Sequence, residues 1–130
     1  MSDFSNALSV SASGLRAQTQ RLVHVSENIA NADTPGYRRK TVAFETAFQG
    51  AGTPGIVTPG PVQLDRRELS QVYDPGHALA DETGQYDGSN VDLIIEIADA
   101  REAQRSYEAN LKMFEQARQM SSRLMELLRR

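Results

Sequence analysis

A chain of 130 residues has room for one modest hydrophobic core, and 14 basic against 17 acidic side chains, with no broad basic face, make nucleic acid a poor partner. The absence of cysteine excludes disulfides and thiolate metal sites. No apolar run is long enough to span a bilayer, and Met1-Ser2-Asp3-Phe4 lacks the n- and h-regions of a secretory signal, so departure from the cytoplasm would need another route.

The first element is a helix. Leu8, Leu15, Leu22 and Ile29 recur every seven residues, with Phe4, Val25 and Ala32 on the complementary heptad position, a spacing that predicts a coiled-coil type seam. Ser9-Val10-Ser11-Ala12-Ser13-Gly14 is poor helix sequence, because serine competes for its own backbone and glycine is costly to order. The small Ala7, Ser11, Ala12 and Gly14 would let a partner helix approach closely and supply the missing stability. The helix should end near Ala32, since Pro35 cannot continue it. Thr34-Pro35-Gly36-Tyr37 then has the residue order of a type II turn, proline fixing φ at the second position and glycine supplying positive φ at the third.

Residues 41–88 are short of apolar side chains and rich in turn formers. Thr41–Phe44 and Val62–Leu64 predict short strands, with loops at Gly50–Gly55 and Pro59-Gly60-Pro61, forming a hairpin-like projection. Tyr73-Asp74-Pro75-Gly76 predicts another turn, and Ala78–Ser89 an extended polar return. Arg38-Arg39-Lys40 reads as a solvated cluster. His77 with Asp74, Asp81 and Glu82 lacks the regular spacing of a metal site and reads as turn-capping groups, while His24 has no nucleophile or second histidine nearby to suggest catalysis. No cofactor, metal or catalytic residue is expected.

From Asn90 to Arg130 neither glycine nor proline occurs, which predicts one long helix with Ser89 and Asn90 supplying N-cap oxygens and Asp92 placed to answer the exposed N–H groups of the first turn. Leu93, Ile97, Ala100, Tyr107, Leu111, Phe114, Ala117, Leu124 and Leu128 lie at steps of three and four, interrupted by Gln104, Arg118 and Ser121. Such a helix is roughly 60 Å long, against a diameter near 35–40 Å for a compact globule of this length, so its stripe must be covered by another long helix or by other chains. Met113, Met120 and Met125 suit adaptable apolar contacts. The expected fold is mainly α, two long terminal helices (1–33 and 90–130) packed as a coiled-coil-like pair, with a turn and small irregular or β-hairpin insertion between them (34–89).

Asn28-Ile29-Ala30-Asn31 followed by Thr34-Pro35-Gly36-Tyr37 resembles the N-terminal signature of the flagellar axial proteins, the rod, hook and hook-associated proteins. Asn90-Val91-Asp92-Leu93 and Arg105-Ser106-Tyr107-Glu108-Ala109-Asn110 resemble that family's C-terminal helix motif. Length narrows the resemblance to the short proximal rod proteins. Tyr37-Arg38-Arg39-Lys40, Phe44-Glu45 and Val72-Tyr73-Asp74-Pro75-Gly76-His77 are similar to the C type, which is the expected assignment, whereas the direct run into Thr34-Pro35-Gly36-Tyr37 is that of the B type, which stays open as the alternative.

The resemblance implies a non-enzymatic structural subunit of the bacterial flagellar basal body. It would polymerise through its terminal helices into the tubular drive shaft that carries torque across the periplasm, after type III export without a cleaved signal. The implied partners are further copies, other proximal and distal rod proteins, the rod-adapter protein at the rod base and the flagellar export apparatus. Assembly contacts are expected on Leu8, Leu15, Leu22, Ile29, Tyr107, Leu111, Phe114, Leu124 and Leu128, and the motif Asn28, Asn31, Thr34, Pro35, Gly36 and Tyr37 is expected to set where the chain leaves the tube wall. A cytoplasmic helical-hairpin adaptor or chaperone would use the same stripes to hold a single partner.

Overall fold

The computed structural model describes residues 2–46 and 55–129, so the loop expected at Gly50–Gly55 lies outside the described residues except for Gly55. Two long helices, α1 (Ser2–Ala30) and α2 (Leu93–Arg129), enclose four short strands, β1 (Lys40–Thr46), β2 (Val57–Leu64), β3 (Gln71–Tyr73) and β4 (Gln85–Asp87). The mainly α architecture with a small antiparallel insertion is the one expected. Helix α2 runs 37 residues without a break, about 55 Å of rod.

The helices pack antiparallel along rows offset by one residue from the leucine heptad. Ala7 and Ala117 line one groove, a Cβ on Gly14 would come within 2.8 Å of the Asn110 amide, Arg21 reaches Asp99, and Asn28 reaches Glu96. Ala7, Gly14, Arg21 and Asn28 recur every seven residues, as do Glu96, Asn110 and Ala117 with the buried Ala103 among them. The seam expected on Leu8, Leu15, Leu22 and Ile29 is therefore corrected: at Gly14 and Asn28 small and polar side chains take the closest line, and the leucines fall to its edge, while Val25 of the expected complementary row is buried. The close approach expected from the small residues occurs at Gly14. The fully covered apolar core among the described residues is small, Ala17, Val25 and Ala103.

The start of α2 departs from expectation in part. Asp92 answers a first-turn N–H as expected, its Oδ1 accepting from Ile94 N at 3.0 Å, but it does so as the N-cap itself. Ser89 instead donates from Oγ to Ala32 O, and Asn90 spans other segments, accepting from Arg39 N at 2.7 Å and donating to Asp65 O at 2.9 Å. Both candidate caps are recruited by the chain that crosses the base of the helix pair.

Strand β2 is longer than expected and includes Pro59-Gly60-Pro61. Val42 pairs with Val62 but Phe44 pairs with Pro59, so Gly60 and Pro61 stand opposite the single Ala43 in a bulge, where prolines do not interrupt the ladder. A Cβ on Gly60 would lie 3.0 Å from Ala43 O. The β1–β2 hairpin lies along α1 at several points: Asn28 bonds Lys40 at its base, Val57 N donates to Ser13 Oγ at 3.0 Å, and Gly55 sits beside Val10. Strands β3 and β4 form a second antiparallel pair across the expected Tyr73–Gly76 turn, and β4 falls in the Ala78–Ser89 segment expected to be a plain return.

The turn residues cap these loops. Asp74 Oδ1 accepts from Gly76 N at 3.2 Å, Asp81 Oδ1 from Thr83 N at 2.9 Å and Gln85 N at 3.0 Å, and His77 stacks on Tyr86 at 4.0 Å between ring centroids.

Candidate assembly interface

At the base of the helix pair a polar junction fixes the helices to the segment that leaves them. Asn31 Nδ2 donates to Glu27 O at 2.8 Å and Thr34 Oγ1 donates to Asn31 Oδ1 at 3.1 Å, closing the end of α1. Tyr37 N donates to Thr34 O at 3.2 Å, and Gly36 has φ +74°. With Pro35 holding a negative φ, that is a type II turn. Gly36 N then bonds Asp87 O at 3.2 Å and Gly88 O at 3.0 Å, so the turn is tied to the strand returning to α2.

Asn28 stands at the centre, 1 % exposed. Its Nδ2 donates to Lys40 O at 3.0 Å and to Glu96 Oε2 at 3.2 Å; its Oδ1 accepts from Tyr37 Oη at 2.8 Å and Lys40 N at 2.9 Å. Every hydrogen-bonding position of the amide is filled, which a buried amide needs. One side chain thus joins α1, the turn, β1 and α2. Burial raises the Tyr37 pKa above the ordinary phenol value.

Arg39 completes the junction and corrects the expectation of a solvated basic cluster. Its Nε donates to Glu96 Oε1, its Nη2 to Asp99 Oδ2 at 2.8 Å, and its Nη1 lies 3.7 Å from Asp65 Oδ2. Burial works against the guanidinium charge, but the Glu96 hydrogen bond and the charges of Glu96, Asp99 and Asp65 leave its pKa above the ordinary arginine value. Glu96 is fully buried. Asp99 also meets Arg21 Nη2 at 3.4 Å. Arg38 Nη1 donates to Asp65 O at 3.2 Å and Arg67 O at 3.0 Å. Of the three basic residues, only Lys40 makes a half-exposed pair, with Glu27 at 2.6 Å. Glu96 was missed from sequence; its signal was a lone carboxylate within the run Leu93-Ile94-Ile95-Glu96-Ile97.

The apolar rows expected to make assembly contacts flank this seam. Leu8, Leu15 and Leu22 of α1 and Tyr107, Phe114 and Leu124 of α2 are half-buried, whereas Ile29, Leu111 and Leu128 are exposed at 40, 36 and 72 %. Leu15 and Tyr107 line one open groove with Val23. A second groove, of about 400 Å³ and almost wholly apolar, runs between Phe4, Ala7 and Val10 and the facing Met113, Ala117 and Met120. Its methionines, like Met125, remain exposed. Among the described residues no group of histidine and carboxylate side chains could hold a metal ion, and no helix is long and apolar enough to cross a membrane. His24 lies in the cleft beside Val25, Asn28 and Phe44, with Nδ1 3.9 Å from Glu27 Oε2.

Both ends of the chain match family models. Residues 2–38 match "Flagella basal body rod protein", and residues 83–127 match "Flagellar basal body rod FlgEFG protein C-terminal". Flagellar basal-body rod protein FlgC of Agrobacterium fabrum is 42 % identical over 99 % of this chain and 98 % of its own length. FlgC of Aquifex aeolicus is 34 % identical over 97 and 98 % respectively, and FlgC of Salmonella typhimurium 33 % over 94 and 96 %. These relatives are of the C type, the assignment expected from the motifs. The chain belongs to the flagellar basal-body rod protein family, in its FlgC branch.

Proposed function

We propose that this chain is a structural subunit of the proximal rod of the bacterial flagellum, and that the flanking apolar rows of its two helices are the surfaces through which it polymerises. The observation that carries the reading is apolar surface left uncovered after the fold is complete: Leu111, Met113, Met120, Met125, Leu127 and Leu128 are all at least 36 % exposed on one helix. Contacts that repeat without closing generate a filament, and helices packed side by side give a stiff wall. Leu8, Leu15, Leu22 and Ile29 from α1, with Tyr107, Leu111, Phe114, Leu124 and Leu128 from α2, form that wall. Residues 34–46 and 55–89 lie outside it, and Thr34–Tyr37 set the exit.

The junction of Asn28, Arg39 and Glu96 holds the hinge between wall and insertion rigid, so that torque passes through packing rather than chemistry. The rod crosses the periplasm, and the chain reaches it through the flagellar type III apparatus without a cleaved signal. Neighbouring rod chains and the adapter at the rod base are its partners. The test is incorporation of a tagged chain into isolated basal bodies. The native chain is expected in the rod and Leu22→Asp, on a half-buried flank position, is expected to be left out; normal incorporation of Leu22→Asp would remove the leucine row from the interface.

A further inference from the structure

His24 sits where α1, β1 and α2 meet, in a cleft of about 280 Å³. Its side chain is 12 % exposed, and neither ring nitrogen has a hydrogen-bond partner among the described residues. A buried polar group left in that state costs stability, and imidazole is the side chain whose charge changes nearest neutral pH. Charged groups face the ring from every element around it: Arg21 and Glu27 on α1, Arg39 and Lys40 where β1 begins, and Glu96 and Asp99 on α2. Two of the cations are fixed, Arg39 by Glu96, Asp99 and Asp65, and Arg21 by Asp99 and Glu102. Glu27 is shared differently. Its Oε2 lies 2.6 Å from Lys40 Nζ and 3.9 Å from His24 Nδ1, so one oxygen stands between two nitrogens that can each carry a positive charge.

We propose that His24 is a proton-operated latch: when the ring takes up a proton from solvent, Glu27 moves from Lys40 to the imidazolium, Lys40 turns into water, and the middle of β1 loosens on α1. At 3.9 Å the uncharged ring is too far from Glu27 for a hydrogen bond, and a charge on Nδ1 supplies the reason to close that gap. Lys40 is the cation that can leave, because Glu27 is its one ion-pair partner among the described residues and its side chain is already 36 % exposed. Both neighbours act on the carboxyl in the closed state: the hydrogen bond from Lys40, and more weakly His24, hold Glu27 below its ordinary range. A charged ring beside Val42 and Phe44 also draws water against their apolar faces. The ends of the hairpin stay tied, by the Asn28 bonds to the Lys40 backbone and by Val57 N on Ser13 Oγ, so the change is confined to Thr41–Phe44. The attachment of the insertion to α1 thereby responds to pH.

The test uses the purified full-length chain, dilute and isotope-labelled. The His24 ring and the Glu27 carboxyl carbon are followed by NMR from about pH 8 to about pH 5, the range in which histidine side chains change charge. The Glu27 signal is expected to move in step with His24, at a pH above its own protonation. Amide protection of Thr41–Phe44, corrected for the intrinsic pH dependence of exchange, is expected to fall about three- to fivefold over the same range, the size set by a half-exposed ion pair. His24→Gln should abolish both changes, and Glu27→Gln should lower the protection at pH 8 and remove most of its dependence on pH. The other histidine, His77, stacks on Tyr86 in the separate β3–β4 pair, and His77→Gln should behave as the native chain does. A Glu27 signal that ignores the titration of His24 would overturn the inference, as would an equal loss of protection in His24→Gln. The titration of the native chain decides the matter alone if circular dichroism shows that His24→Gln has not folded.

Discussion

Asn28 and Glu96 meet across the two helices, the amide donating to the carboxylate at 3.2 Å with both side chains closed off from water. This bond couples the end of α1 to the start of α2 at the level where the insertion departs. Asn28→Ala removes it together with the bonds to Tyr37 and both backbone groups of Lys40. Several buried polar groups lose partners at once, and the expected cost is on the order of 2–4 kcal/mol, read from the urea unfolding midpoint. A loss well under 1 kcal/mol would mean the junction is not a determinant of stability.

Arg39 and Glu96 are not expected to be equivalent. Arg39→Met leaves a fully buried carboxylate with only Asn28 as a side-chain partner, and the expected loss is about 3–5 kcal/mol. Glu96→Leu leaves an arginine that still meets Asp99 and Asp65 and should cost less. The double variant Arg39→Met, Glu96→Leu is expected to lose less than the sum of the two, since it leaves neither charge stranded. Equilibrium unfolding of the three variants checks both the order and the coupling.

The Glu27–Lys40 pair gives a pH window. The hydrogen bond from Lys40 holds the Glu27 carboxyl below its ordinary range, and the same bond holds the Lys40 ammonium above its own. A lowered carboxyl contributes stability above its unfolded pKa and loses it as pH falls through the folded value. A raised ammonium contributes below its unfolded pKa and loses it as pH rises through the folded value. The pair therefore supports folding at neutral pH and fades at both extremes. Glu27→Gln should reduce the difference in thermal midpoint between neutral and acidic buffer, and added salt should weaken the native pair, which is half-exposed.

Much of this architecture was legible in the sequence, because helix length, the absence of glycine and proline from α2, and the order Thr34-Pro35-Gly36-Tyr37 are local signals. The register of the helix pair was not. A leucine heptad looks like a seam by hydrophobicity alone, yet the closest contact belongs to the row of Gly14 and Asn28, where size and hydrogen bonding decide. The same limit applied to Arg39, whose three carboxylate partners come from residues 65, 96 and 99 and are brought together only by tertiary structure. The bulge at Gly60 and Pro61 was hidden for a different reason: prolines argue against a strand unless the partner is known.

Gly36 offers a test of the turn free of packing effects, since a Cβ there would meet nothing within 4 Å. Its φ of +74° alone sets the penalty. Gly36→Val is expected to cost about 1–2 kcal/mol and Gly36→Asn distinctly less, because asparagine tolerates the left-handed region. Equal losses for the two in thermal unfolding would argue against backbone strain as the cause.

Assembly through the apolar rows is tested by the reactivity of single cysteines placed at Leu111 and Leu128, compared between the free chain and isolated basal bodies containing it. Both positions are exposed in the free fold, at 36 and 72 %, and the cysteine-free background makes alkylation specific. The expected result is ready labelling of the purified chain and strong protection of both positions in the rod. Equal labelling in both settings would rule out assembly through these rows, because they would then remain open to water in the assembled structure.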